Sequence, residues 1–265
     1  MDFRSWFEHR VLTVSEIYTK LLKNDDVELL HQYRVNLRKL YACSEIYAKE
    51  IDAKSSKEFS KLIKKMLKPT ALLRDIDLFL LDIKSLMCSD KLKNILYNMI
   101  VLKREVVFKT YRDTLKSKEY KKNIEILTSI AKESDFFIYA IDMIETDKII
   151  ADVQKKRYLE FSKVNMHTSF GELHTLRKDF KKFRYALEIY EHCFSSGEAV
   201  SYDAHKLKRL QDLFGAIQDN YVRLNLLKSM ENDLFYDELL KLKTHYIIKL
   251  LSAKEDLFKG ENIEL

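Results

Sequence analysis

A chain with only four glycines and one proline in 265 residues has few means of turning sharply. Glycine supplies left-handed backbone and proline a pre-set bend, and tight turns rely on both. Long helices joined by short polar connections suit such a sequence, so the fold class is all-α. Apolar residues recur at helical spacing from the outset, with Phe3, Phe7, Val11, Val14, Ile17, Tyr18 and Leu21 forming one stripe. Asn24-Asp25-Asp26 closes that stripe and places carboxylates at the start of a second helix, predicted to run to about Glu50. Ser55-Ser56-Lys57-Glu58 reads as a fresh cap, and Pro69 makes 72–87 a new or kinked segment. Amphipathic stretches follow at about 92–115 and 120–131, and Phe136-Phe137 opens the passage to the second half. Helices are expected there at 149–164, through the stretch ended by Phe194-Ser195-Ser196-Gly197, at 202–214 and over 221–258.

Two of these helices share an unusual pattern. In Leu173-His174-Thr175-Leu176-Arg177-Lys178-Asp179-Phe180-Lys181-Lys182-Phe183-Arg184-Tyr185, about 100° per residue puts His174, Arg177, Lys178 and Lys181 on one face, with Lys182 and Arg184 at its margins. Leu173, Leu176, Phe180, Phe183, Leu187 and Tyr190 gather on the other. At a constant offset of 143 residues, His31, Arg34, Arg38 and Lys39 match His174, Arg177, Lys181 and Lys182, and the apolar row Leu30, Tyr33, Leu37, Leu40 and Tyr47 matches as well. Ser44, opposite Leu187, alone breaks it. The correspondence continues from Ile63-Lys64-Lys65-Met66 to Leu207-Lys208-Arg209-Leu210, and from Asp75 to Asp219 after a shift of one residue. An internal duplication explains this register. The expected architecture is one domain over 1–265, with two pseudo-twofold-related four-helix repeats at about 1–140 and 141–265 packed around a central basic groove.

The net charge of +6 is modest against 47 basic and 41 acidic residues, so clustering matters more than the total. Cys43, Cys88 and Cys193 lack zinc or disulfide spacing and are expected to be core thiols. The opening residues show no basic leader followed by an apolar stretch, and no run is long enough to span a bilayer, so a cytoplasmic location is expected.

The basic face admits several uses. Cations at i, i+3, i+7 and i+10 form a ladder along a helix that rises about 5.4 Å per turn, which suits an anion with repeating charges; Arg adds a bidentate fork and Lys a point charge. The ordinary alternative is a solvated face, but the row lacks the interleaved acidic partners at i+4 that such helices show, and it occurs twice, led each time by His. A metal at His31 or His174 is not expected, since neighbouring arginines oppose it; a hydrogen bond to phosphate or a purely structural role stays open for both. Asp75 and Asp219 are read as orienting cations or capping helices rather than as an acid–base pair. The thirty Phe and Tyr residues are core, with base stacking left open.

His31-x-x-Arg34-Val35-x-x-Arg38-Lys39, Leu73-Arg74-Asp75-x-Asp77, the His174 stretch and Leu207-Lys208-x-x-Gln211-x-x-x-Gly215-x-x-x-Asp219 together resemble the CHAD domain, the conserved histidine α-helical domain, over nearly the whole chain. The family pattern carries Arg where this chain has Tyr41, and Gly where it has Ala71. The resemblance implies an all-helical fold of two four-helix repeats and non-enzymatic binding of inorganic polyphosphate, with placement on polyphosphate granules. The residues expected to bind are His31, Arg34, Arg38, Lys39, Lys64, Lys65, Arg74, His174, Arg177, Lys178, Lys181, Lys182, Arg184, Lys208 and Arg209, without cofactor or metal. Sulfate or phosphate is expected to occupy the same positions. The alternatives are a helical adaptor for protein or nucleic acid and a metal-dependent triphosphate or polyphosphate hydrolase; against the last, the chain lacks the Glu-x-Glu-x-Lys signature of triphosphate-tunnel enzymes.

Overall fold

The computed structural model describes residues 2–47, 53–132, 143–194, 204–230 and 235–259. These form α1 (Phe3–Leu21), α2 (Val27–Ile46), α3 (Ala53–Leu67), a 3-10 turn (Lys68–Thr70), α4 (Ala71–Ile83), α5 (Asp90–Lys116), α6 (Lys118–Ile130), α7 (Met143–Phe161), α8 (Phe170–Phe194), α9 (Ala204–Lys228) and α10 (Tyr236–Lys259), with no strand among them. The expected passage at Phe136-Phe137, the stop at Ser195-Ser196-Gly197 and the side chain of His205 lie outside the described residues. No described helix is long and apolar enough to cross a membrane.

Local chemistry sets many helix starts. Asp26 accepts from the Glu28 and Leu29 amides at 2.8 and 3.1 Å, satisfying two otherwise orphaned donors at the start of α2. Ser169 and Glu172 cap each other at α8: the Glu172 amide meets Ser169 Oγ at 3.3 Å, and the Ser169 amide meets Glu172 Oε2 at 2.9 Å. These bonds hold the Glu172 carboxyl below its ordinary value, Ser169's hydroxyl contributing most. Pro69 occupies the 3-10 turn, and α4 begins afresh at Ala71. Two expectations need correction. Helix α3 already begins at Ala53, so Ser55 and Ser56 lie inside it and Ser56 Oγ instead donates to the Ser44 carbonyl at 2.8 Å. Tyr221 does not open a helix but lies within α9, which continues past Phe214 to Lys228.

The chain divides into two compact units whose boundary falls within α4, α5, α7 and α8, so both units draw on both halves of the sequence. The first comprises Met1–Arg74, Val106–Lys156 and Lys181–Ser201. There α1 packs on α2, α2 on α3, and α6 against α1 and α3. Tyr33 and Tyr120 share a hydrogen bond of 2.8 Å in the buried interior, and Tyr120 donates to the Met66 carbonyl at 2.9 Å. Since the Tyr120 proton is committed to Met66, Tyr33 is the donor to Tyr120. Ser44, the polar break in the apolar row, is 1% exposed and bonds Ser60 at 2.8 Å, so the interruption is satisfied within the core. The second unit comprises Asp75–Glu105, Arg157–Phe180 and Tyr202–Leu265. Its core contains a triangle of Phe161, Phe180 and Phe214, with ring centroids 5.8 to 6.1 Å apart, and its longest packing runs between α9 and α10.

The tyrosine relay gives an ordered pair of outcomes. Tyr120→Phe orphans the Met66 carbonyl and removes the acceptor for Tyr33, and is expected to cost about 2 kcal/mol. Tyr33→Phe leaves Tyr120 bonded to Met66 and is expected to cost about 1 kcal/mol. Denaturant unfolding followed by fluorescence of Trp6, in the same unit, measures both.

Candidate functional site

The two matched helices bury the row that periodicity assigns to the core. Leu30, Tyr33, Leu37 and Leu40 on α2 with Tyr47 at its C-cap, and Leu173, Leu176, Phe180, Phe183, Leu187 and Tyr190 on α8, are all buried. Burying those stripes leaves most of the intervening cations at intermediate exposure, where their charge is partly desolvated and correspondingly stronger.

In the first unit the residues converge on His31. Its imidazole is held below the ordinary value of 6.5, first by partial burial, then by Arg74, Lys181 and Arg38, with Glu28 opposing. Side chains from α2, α4 and α8 therefore act on one ring. The sign for folding follows: an unfolded imidazole takes its proton near 6.5 and the folded one only at lower pH. His31 thus withdraws stability as pH falls through that interval.

Other predicted cations are engaged with acids. Lys39 pairs with Glu188 at 2.8 Å, Arg184 pairs with the same Glu188 on its own helix, and Lys182 lies 3.9 Å from Glu45. The expected scarcity of i+4 partners on this row is thus corrected by Arg184 and Glu188. Lys65 is exposed and pairs with Glu119 at 2.6 Å. Arg34 differs most from expectation: it is 7% exposed and donates to Thr70 Oγ1. Thr70 in turn donates to the Leu67 carbonyl at 2.6 Å, so Arg34 braces the turn around Pro69 instead of presenting a charge to solvent.

Tyr41, which the sequence marks only as a departure from the family's Arg, has a place in the site of its own. Lys64 from α3 lies over its ring at 5.0 Å and Lys182 from α8 at 5.8 Å. A hydrogen bond to Tyr41 raises the Lys64 ammonium above its ordinary value. The available signal was the aromatic itself, one helical turn beyond Arg38.

In the second unit His174 and Arg177 line a small open pocket with Phe170, Leu173, Phe214, Ile217, Gln218 and Tyr221. His174 Nδ1 and Gln218 Oε1 share a hydrogen bond, which orients the ring against α9. Lys178, Lys208 and Arg209 are exposed. Asp219 is exposed as well, and among the described residues the buried acid of this unit is Asp77, 4% exposed, which accepts from Arg104 Nε at 2.6 Å. Among the described residues no group of three or more His, Cys, Asp or Glu side chains is placed to hold a metal ion.

The CHAD domain family model matches residues 13–228. The chain belongs to the CHAD domain family. Its fold is similar to the CHAD domain from the plant Ricinus communis, at 15% identity and a TM-score of 0.73 over 97% of this chain and 88% of that one. It is also similar to PptA from Streptomyces chartreusis, at 11% identity and a TM-score of 0.77 over 97% and 96% of the two chains. No curated protein sequence matches the chain. Within this CHAD domain, matched positions therefore separate into structural and surface classes that the family pattern does not distinguish.

Arg34 and Arg38 make that separation measurable. Arg34→Ala is expected to lower unfolding stability by about 2–3 kcal/mol through loss of a buried charged hydrogen bond. Arg38→Ala is expected to stay within about 0.5 kcal/mol of the parent. Paired denaturant titrations of the two variants check this.

Proposed function

We propose that this CHAD domain binds inorganic polyphosphate without hydrolysing it. The observation that carries the reading is the convergence of Arg38, Arg74 and Lys181, from three helices, on His31. Like charges gathered on a partly buried surface repel one another, and an extended polyanion relieves that repulsion by neutralising several of them together. Lys64 and Lys182, held over Tyr41, extend the positive region within the same unit. His174, Arg177 and Lys178 form a further binding element on α8, with Lys208 and Arg209 on α9, while Arg34 braces the turn around Pro69 through Thr70. Lys39 and Arg184, both paired with Glu188, would contribute by exchanging that carboxylate for phosphate oxygens. Polyphosphate granules are the cellular setting this function fits.

Binding through several cations releases several counterions, so affinity is expected to fall linearly in log–log form with salt. Lys181→Ala is expected to reduce that slope by about one. Titration of long-chain polyphosphate at several salt concentrations tests it; absence of binding at low salt, or identical curves for parent and an Arg38→Ala/Arg74→Ala/Lys181→Ala variant, overturns the proposal. Tighter binding of single-stranded RNA in direct competition would favour the adaptor reading. Phosphate release with Mg²⁺ or Mn²⁺ would favour a hydrolase.

Acidity supplies a second test. His31 is held down first by partial burial and then by Arg74, Lys181 and Arg38; a bound polyanion offsets the cationic part, so its proton affinity rises in the complex and binding takes up a proton. Affinity is therefore expected to increase as pH is lowered from about 8 to about 5.5, and His31→Asn is expected to flatten part of that rise. Calorimetric titrations in buffers of different ionisation enthalpy read the proton uptake directly.

A further inference from the structure

Helix α10 is apolar on two opposite faces. Leu239, Leu242, Tyr246, Leu250, Ala253 and Leu257 are buried. On the other side Leu240, Ile247, Ile248 and Leu251 are 49%, 42%, 60% and 48% exposed. At 100° per residue these four fall with Thr244 inside an arc of about 100°, too regular a stripe for scattered surface residues. Charges bound the stripe at both ends: Asp237 and Lys241 on one side of Thr244, Glu255 and Lys259 beyond Leu251, all exposed.

The order of those charges selects the occupant. If a second α10 is laid antiparallel about a two-fold axis at Ile248, Lys241 of each copy faces Glu255 of the other, Asp237 faces Lys259 and Thr244 faces Ser252. Ile248 then meets its own counterpart on the axis, and Leu251 packs beside it. A parallel pair would instead set Asp237, Lys241 and Glu255 each against its own copy. An anionic bilayer would press Asp237 and Glu255 against like charge. Lys259 and Glu255 already pair at 2.8 Å within one helix, so the two copies would join these pairs into a four-charge network at each end.

We propose that the exposed face of α10 is a self-association surface, closing an antiparallel two-fold dimer through Ile247, Ile248 and Leu251. From Asp237 to Lys259 the helix extends about 33 Å. A helix pair of that length reaches only the lower bound of a specific interface, on the order of 1,000 Å² in total, so the dimer is reversible with a dissociation constant of about micromolar order. The inference is independent of polyphosphate binding, since α10 carries none of the residues assigned to it.

Analytical ultracentrifugation of the full chain from about 1 to about 100 μM tests the proposal. The parent is expected to pass from monomer to dimer, and Ile248→Glu to weaken the dimer at least about tenfold. Lys241→Glu, which sets like charges opposite each other twice, is expected to weaken it about tenfold, and the double variant Lys241→Glu/Glu255→Lys to recover to within about threefold of the parent. The double variant keeps the test decisive if Ile248→Glu folds poorly. A parent that stays monomeric throughout, a dimer indifferent to Ile248→Glu, or a charge reversal without recovery overturns the proposal. So does a monomeric parent that sediments with phosphatidylserine vesicles and loses them on Ile248→Glu, which would assign the face to a membrane surface.

Discussion

Burial of one stripe on α2 and the matching stripe on α8 is the constraint from which the rest of the site follows. A helix that buries Tyr33, Leu37 and Leu40 has no freedom over where Arg38 and Lys39 point, because side-chain directions are fixed by the 100° advance per residue. The same holds for Phe180, Phe183 and Leu187 with respect to Lys181, Lys182 and Arg184. Apolar packing thus does the electrostatic positioning. In the first unit the α2 and α8 segments are tied by the Tyr47 hydroxyl on the Ala186 carbonyl at 3.1 Å and by Lys39 on Glu188. These ties bring Lys181 close enough to bear on His31.

A concentration of cations opposes folding unless acids, aromatic faces or a ligand relieve it. This chain uses the first two unevenly. Glu188 takes two cations, Glu45 approaches a third, and Tyr41 gathers Lys64 and Lys182 over one ring. Such half-exposed pairs contribute little to stability in water, so an anion of higher charge density can displace the carboxylate without much loss. His31, its proton affinity lowered first by partial burial and then by Arg74, Lys181 and Arg38, is where part of the remaining repulsion registers. On the proposed function, a site arranged this way would favour a ligand that reaches many cations together over a small monovalent anion that satisfies one.

The helical fold and the apolar faces were legible from local spacing alone, since 3.6-residue periodicity and scarce glycine are properties of short windows. The interior of Leu173, Leu176, Phe180, Phe183, Leu187 and Tyr190 followed directly. What stayed hidden depends on partners far along the chain. Arg34 reads as one more cation until the turn carrying Thr70 folds onto it, 36 residues away. Asp77 reads as a lesser neighbour of Asp75 until Arg104, 27 residues on, supplies its partner. Serine at 55 and 56 resembles a cap, but α3 starts earlier and Ser56 finds the Ser44 carbonyl. Tyr41 looked like a missing cation and is instead the surface on which two others rest.

The matched copies also show that register in sequence does not impose equal chemistry. His31 is partly buried among three cations and is disinclined to take a proton, while His174 Nδ1 is hydrogen-bonded to Gln218 beside aromatic rings. Arg34 is buried on a threonine, while its counterpart Arg177 lines an open pocket. The apolar rows kept their spacing because either helix would lose its core contact by a shift of a single position. The polar positions carried no such restriction, since each answers to whatever the neighbouring helix presents. A duplicated helix therefore keeps its buried face and diverges along its charged edge.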